Sequence, residues 1–347
     1  MPKKRRSKIR LEAKYIYIAF ILGISMLLAA LVITSTNEVL ALARPDREVI
    51  VEIPENASHS EVAKILKQNG VISHKVLFNM FASMTRRDAV YHGGEYKINS
   101  NMDYRAMLRR LTSKKGALNT VKITIPEGYE LKQIVQLLAE KGVCDEKSLK
   151  DTIANEDFDY EFLKGIPLGK EDRLEGYMFP DTYEFYKNDV PERVVKKFLE
   201  NFDLKYNEEF AARAKELSMS TNDVITLASI IEREATAEDR KNISSVFHNR
   251  LKSKTYPYLE SCATVQYVLG ERKKVISIAD TKIDNKYNTY KYKGLPPGPI
   301  ANPGYDSIEA ALYPNDTDYL FFALQEDGTH KFSKTYEEHL ATPKINP

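Results

Sequence analysis

Apolar and polar positions fall into three patterns along the chain. From Tyr15 to Thr34 the sequence reads YIYIAFILGISMLLAALVIT, twenty residues without a charge. As a helix rising 1.5 Å per residue it spans about 30 Å, the thickness of a bilayer's hydrocarbon core. A soluble helix keeps a polar face, and this run has none. Tyr15 and Tyr17 stand at its charged end, where interfacial aromatics belong. The run predicts a single transmembrane helix over residues 15–35. A cleaved signal peptide is the competing reading, and the run is long for one.

The second pattern is an internal repeat. Val51-Glu52-Ile53-Pro54-Glu55 aligns without gaps on Ile123-Thr124-Ile125-Pro126-Glu127, an offset of 72. The match continues through Leu66 and Leu138, Gly70 and Gly142, and Val71 and Val143. Each copy reads as strand, turn, amphipathic helix and glycine stop. Val62, Ile65 and Leu66 lie at helical spacing in the first copy, and Ile134, Leu137 and Leu138 in the second. Gly70 and Gly142 fall where a helix C-terminus favours a left-handed residue. Between the copies, 93–98 predicts a short strand and 104–111 a helix with Leu108 and Leu111 facing inward.

The third pattern is mixed. Helices are predicted over 192–202, 207–217, 223–233 and 237–251, and a strand over 319–324. Turn-rich segments contain Gly294-Leu295-Pro296-Pro297-Gly298-Pro299 and Asn302-Pro303-Gly304. Strands and helices do not alternate as in βαβ units, so the fold class is α+β. The resulting organisation is a basic tail (1–14), the membrane helix (15–35), a linker (36–47), a small βααβ module (48–120) and a larger mixed α+β region (121–347).

Charge refines this picture. Residues 1–14 carry seven basic residues and one acid, and the whole chain is only +2, which leaves about −4 for everything after them. A mildly acidic outer part argues against nucleic acid as a partner. The basic end belongs in the cytoplasm, with everything after Ser35 outside. Two cysteines cannot build a disulfide framework or a four-cysteine zinc site. A Cys144–Cys262 bridge is one arrangement open to an extracellular chain, and buried free thiols are the other.

For chemistry, the chain has no P-loop, GxGxxG, HExxH or GxSxG motif, and its six histidines show no metal-ligand spacing. Neither a metal nor an organic cofactor is expected. Carboxylates are the remaining tools. Two segments set acids among apolar or aromatic neighbours: Leu174 to Phe185, with Glu175 and Asp181, and Leu227 to Ala235, with Glu232 and Glu234. A carboxylic acid partly buried against apolar groups can hold a proton near neutral pH and act as a general acid. On the second segment's helix, small Ala228 and Ser229 lie behind Glu232 and would leave room for a ligand above its carboxyl. A solvated glutamate paired with Arg233, Arg240 or Lys241 is the bland alternative. Periodicity does not choose between Glu232 and Glu234.

Six motifs occur in order: Leu174-Glu-Gly-Tyr-Met-Phe-Pro-Asp-Thr-Tyr183, Leu227-Ala-Ser-Ile-Ile-Glu-Arg-Glu234, Ser245-Val-Phe-His-Asn-Arg-Leu251, Tyr287-Asn-Thr-Tyr290, Gly294-Leu-Pro-Pro-Gly-Pro-Ile-Ala-Asn-Pro-Gly304 and Gly328-Thr-His-Lys-Phe332. Together with the single span they resemble the endolytic murein transglycosylases, the YceG-like family, over nearly the whole chain. The sequence departs from the family pattern at Cys262, where an acidic residue is expected. The βααβ module, for its part, resembles a LysM domain, a small peptidoglycan-binding fold.

The resemblance implies a membrane-anchored lytic transglycosylase of peptidoglycan that needs no cofactor. It implies that Glu232 is the catalytic acid, then base, in cleavage between N-acetylmuramic acid and N-acetylglucosamine. The intramolecular nucleophile is the muramyl 6-hydroxyl, and the product is a 1,6-anhydro end. Tyr177, Tyr183, Tyr287 and Tyr290 are candidates for sugar contact, Asn249, Asn288 and Asn302 for holding polar groups of the glycan, and Glu175 and Asp181 for orienting the site. Gly176, Pro180, Pro296, Pro297 and Gly304 are expected to set turns. Expected partners are glycan strands, the plasma membrane through one helix, and glycan polymerases or transpeptidases of the elongation or division machinery. A non-catalytic wall-binding or scaffold protein is the alternative, and a water-using hydrolase the other.

Overall fold

A computed structural model describes residues 3–113, 116–117, 120–273 and 275–342. Of the segments named above, 1–2, 114–115, 118–119, 274 and 343–347 lie outside the described residues. The chain divides into two compact units, Met1–Asn119 and Thr120–Pro347.

The first unit begins with helix α1 (Lys3–Leu40). Its stretch Lys14–Leu40 is long and apolar enough to cross a membrane, and among the described residues none buries the apolar side chains from Tyr15 to Ile33. There follow β1 (Glu48–Ile53), α2 (His59–Gln68), α3 (Lys75–Thr85), β2 (Gly94–Asn99) and α4 (Tyr104–Leu111). β1 and β2 pair antiparallel, with Val51 opposite Tyr96. Val51 and Ile53 point into a core with Val62, Leu66, Phe78, Tyr104 and Leu108. Period-two alternation in β1 and 3.6-residue periodicity in α2 therefore meet on one apolar layer.

The segment read as a linker is partly helix. Residues 36–40 continue α1, and Glu38 is buried in the unit. Glu38 Oε1 accepts hydrogen bonds from the backbone N–H groups of Ser73 (2.7 Å) and His74 (3.2 Å) and from the Tyr104 hydroxyl (2.9 Å). Arg44 Nη2 lies 2.9 Å from the same oxygen. His74 is the N-cap of α3 but supplies no side-chain cap, so Glu38 satisfies that helix end from another element.

In the second unit β3 (Thr120–Thr124) leads to α5 (Leu131–Glu140), α6 (Glu146–Asn155) and a short 3-10 turn at Glu161–Leu163. β4 (Thr182–Tyr186) pairs antiparallel with β3, Ile123 facing Tyr183. Then come α7 (Pro191–Lys205), α8 (Glu208–Glu216), α9 (Thr221–Glu234), α10 (Arg240–Lys252), α11 (Cys262–Leu269), a second 3-10 turn at Asp280–Lys282, and α12 (Tyr305–Leu312). β5 (Phe321–Leu324) and β6 (His330–Ser333) form a hairpin before α13 (Tyr336–Leu340).

Both repeat copies fold alike. Ser58 with Glu61, and Glu130 with Gln133, form reciprocal capping boxes at the starts of α2 and α5. Gly70 and Gly142 take φ of +69° and +71° after the helix ends. Val62 and Leu66, like Ile134 and Leu138, are buried, whereas Ile65 and Leu137 sit at the core's margin in both.

α9 is the axis of the second unit, packed by α8, α10, α11 and α12. It starts at Thr221, two residues earlier than periodicity suggests, because Ser220 and Asp223 cap it reciprocally. Its residues Val224 to Ile231 are all buried. α10 starts three residues later than expected, since Thr236 and His330 both hydrogen-bond Asp239 and hold the chain in a turn there. Neither thiol is in a disulfide: Cys144 is buried, while Cys262, against the expectation of burial, is exposed.

Candidate active site

Glu232 stands in the last turn of α9, where the helix leaves the core and its side chain is still only 8% exposed. Gly304 N–H donates to Oε2 at 3.0 Å. Arg240, at the start of α10, places Nη2 3.7 Å from Oε1. The same Nη2 is 3.7 Å from Oε2 of Glu127, and Nη1 is 3.9 Å from Asp306. Arg240 Nε donates to Ser307 Oγ at 3.1 Å, which fixes the guanidinium. One cation is thus shared among three carboxylates from three further segments of the unit. Glu127 is half-exposed and Asp306 largely so, at 50% and 74%, so the mouth of the site is acidic. Burial and the neighbouring Glu232 charge hold the Glu127 carboxyl above the usual carboxylate range, against the pull of Arg240.

Glu234 faces elsewhere. Its Oε1 accepts from Ser261 Oγ at 2.5 Å and from Ala263 N–H at 3.1 Å, which caps α11. Two glutamates that periodicity could not separate are therefore distinct: one carboxylate ties a helix end, and the other meets the acidic mouth.

The small residues behind Glu232 do not leave a void. Ala228 and Ser229 are fully buried, and Ser229 Oγ accepts Ile300 N–H at 3.0 Å. The space is taken by the chain from Ile300 to Asn302, whose next turn delivers the Gly304 N–H. Gly304 has an ordinary φ of −74°, so it is not there for a left-handed turn. A Cβ on it would stand 2.0 Å from Glu127 Oε1, so the glycine is needed for close approach. Gly176 is different: φ is +88°, and a Cβ would also meet Pro299 at 2.5 Å.

Asn302 joins the segments behind the site. Its Nδ2 donates to Tyr129 O (2.9 Å) and Glu175 Oε1 (3.0 Å), and its Oδ1 accepts Met178 N–H (2.8 Å). Glu175 also accepts Leu131 N–H on both oxygens, at 2.9 and 3.0 Å, at the start of α5. Burial pushes the Glu175 carboxyl up to about 8, although the Leu131 N–H works in the opposite sense. A carboxyl whose folded value is raised binds a proton in the native state that the unfolded chain releases. Stability is therefore expected to fall as pH rises from the ordinary carboxylate range toward 8. In Glu175→Gln this part of the slope disappears, which thermal unfolding at several pH values will read directly.

The other sequence candidates are placed as follows. Tyr177 is fully buried beside Phe162 and Phe202, with its hydroxyl donating to Asn222. Tyr183 donates to Phe179 O at 2.6 Å within the core. Asp181 accepts from Asn201 and from Thr182 N–H, which hold it below its usual range. Asn249 donates to Thr317 O and Tyr319 O, and Asn288 to Thr281 O and Ile283 O. Apart from the exposed Asp181, these residues spend their polar atoms inside the fold. Tyr287, Glu175 and Asp172 line two cavities, of about 390 and 430 Å³. Tyr290, whose hydroxyl lies 3.1 Å from Cys262 Sγ, lines a third of about 370 Å³ with Glu234 and Arg250.

Sequence reasoning passed over Glu127, Asp306 and the shared role of Arg240. The repeat held a signal for the first. Glu127 is the second-copy counterpart of Glu55, and each packs on a glycine, Gly304 or Gly93, that has no room for a Cβ.

Comparison with known proteins bears on most of the chain. The sequence profile of the YceG-like family matches residues 51–344. The endolytic murein transglycosylase of Bacillus subtilis (strain 168) is 37% identical over 303 residues, 84% of this chain and 82% of that protein. The endolytic murein transglycosylase of Streptococcus pneumoniae serotype 2 (strain D39) is 30% identical over 86% of this chain, which spans 58% of that protein's length. The crystal structure of a putative yceG-like protein from Listeria monocytogenes is similar with a TM-score of 0.56 and 33% identity, covering 86% of this chain and 99% of that one. With a match across most of its length, the chain belongs to the YceG-like family.

Proposed function

We propose that this chain is an endolytic lytic transglycosylase of peptidoglycan, held at the cell membrane by α1 with its N-terminus in the cytoplasm. The observation that carries the reading is the Glu232 carboxyl: nearly buried, oriented by the Gly304 N–H, and sharing Arg240 with the more exposed Glu127 and Asp306. The relatives' name, endolytic murein transglycosylase, supports the same reaction class.

Protonated Glu232 gives its proton to the glycosidic oxygen between N-acetylmuramic acid and N-acetylglucosamine. The bond from that oxygen to muramyl carbon 1 breaks, and positive charge develops on the sugar. The carboxylate then takes the proton of the muramyl 6-hydroxyl as that oxygen bonds to carbon 1. Glu232 ends protonated, no water is consumed, and one new end is a 1,6-anhydro sugar. One residue serves as acid and base in turn, and the intramolecular nucleophile supplies much of the acceleration. The acidic mouth would stabilise the developing positive charge.

The cavities lined by Tyr287 and Tyr290 are candidate sugar subsites. The antiparallel β1–α2–α3–β2 arrangement supports the LysM-like reading of the first unit as a glycan-binding module. Anchoring near newly made strands makes glycan polymerases or transpeptidases reasonable partners.

The reaction class is tested with the full chain in detergent micelles and purified uncrosslinked glycan strands. Mass spectrometry of the products is expected to find 1,6-anhydromuramyl ends from internal cuts. Reducing muramyl ends would instead identify a hydrolase, and uncut strands a binding protein.

A further inference from the structure

We infer that Glu127 is a positioning residue of the proposed reaction: its carboxylate draws on Arg240 and so keeps that guanidinium from stripping the proton from Glu232. This inference rests on the reading of Glu232 as the acid. Its basis is geometric. A single nitrogen, Arg240 Nη2, is 3.7 Å from a carboxylate oxygen of each glutamate. Both carboxylates also meet at one residue. Gly304 donates its N–H to Glu232, and its missing Cβ leaves the space that the Glu127 carboxyl fills. Three acids around one cation leave the cluster two negative charges in excess if all are ionised.

The consequence for a proton on Glu232 follows from charge. Arg240 favours the ionised form, and like charge on Glu127 disfavours it. Removing Glu127 deletes the opposing charge and leaves Arg240 to Glu232 and the more exposed Asp306. Both changes act in the same direction, toward a Glu232 that gives up its proton at lower pH. The other charged groups around Glu232 are accounted for. Asp306 of α12 shares Arg240 from a more exposed position, Arg233 of the same helix donates to Gly128 O at 3.1 Å, and Glu234 is engaged with α11. Burial first, and then the neighbouring Glu232 charge, hold the Glu127 carboxyl above the usual carboxylate range.

The test is a pH profile of kcat/KM for the full chain in detergent micelles on uncrosslinked glycan strands. The parent requires protonated Glu232, so its activity falls on the alkaline side. In Glu127→Gln that fall is expected to move acidward by about one pH unit, a roughly tenfold loss at a fixed alkaline pH. The two profiles converge as pH drops to where Glu127 in the parent takes up its own proton. Gly304→Ala provides a second variant. Its φ admits alanine, and the new Cβ displaces the half-exposed Glu127 side chain while leaving the N–H to Glu232. It is expected to show the same acidward shift, and Glu127→Asp to recover most of the parent profile. A loss by the same factor at every pH in Glu127→Gln, or no shift, overturns the inference. If Glu232→Gln still produces anhydro ends, the assignment of the acid falls instead, whatever Glu127 does.

Discussion

Glu232→Gln is expected to lower the formation of 1,6-anhydro ends by about a thousandfold or more while leaving the fold intact. General acid or base catalysis by one positioned group contributes about 10²–10⁴ in rate, and here one carboxyl supplies both steps. The amide cannot donate a carboxylic proton to the leaving oxygen or accept one from the 6-hydroxyl. Its volume and its acceptor for the Gly304 N–H are retained, so the site does not collapse. The check pairs product analysis with thermal unfolding. Activity within tenfold of the parent, in a variant that melts like the parent, would move the acid elsewhere. The matching Glu234→Gln change weakens the cap on α11 and should act on stability more than on the chemical step.

Asn302→Leu is expected to cost the second unit about 3–5 kcal/mol, with activity lost through unfolding rather than chemistry. Asn302 is completely buried and makes three side-chain hydrogen bonds. An apolar side chain of similar size leaves the Met178 N–H without its acceptor and Glu175 with one donor fewer, both away from water. Leaving a buried polar group unsatisfied costs about 1–3 kcal/mol, more when the group is charged. Chemical denaturation of the full chain would read the loss, and a change below about 1 kcal/mol would show that water or a repacked neighbour replaces the amide.

Local signals were legible in the sequence where one element carries them. The uninterrupted apolar run, the two strand–turn–helix copies and the buried stripe of α9 follow from spacing alone. So does the presence of an acid at the end of that stripe. The choice between Glu232 and Glu234 was not legible from spacing. It depends on α11, which begins at Cys262 and offers its N-terminus to Glu234. The site's other charges arrive from 127, 240 and 306, and no local periodicity links such distant positions.

The tyrosines and asparagines of the motifs stand out for the same reason in reverse. Their aromatic and amide groups look suited to sugars, yet several serve as internal hydrogen-bond partners. The 245–251 motif shows this plainly. His248 meets Ala311 O, Asn249 meets two carbonyls, and Arg250 donates to Tyr258 O and Leu320 O. It ties α10 to the segments that follow it.

α1 has a further consequence. It is helical without a break from the apolar run to Glu38, where its side chain is locked into the first unit. In a membrane, then, the direction this unit faces is set by counting residues. One residue inserted between Thr34 and Glu38 would rotate the unit by about 100° about the helix axis and raise it by about 1.5 Å. Seven would return it to nearly its original bearing, about 10 Å higher. With α1 in a membrane, azimuth and height above the bilayer would be written into the phase of a single helix, and a change of length there would re-aim the unit without altering any residue within it.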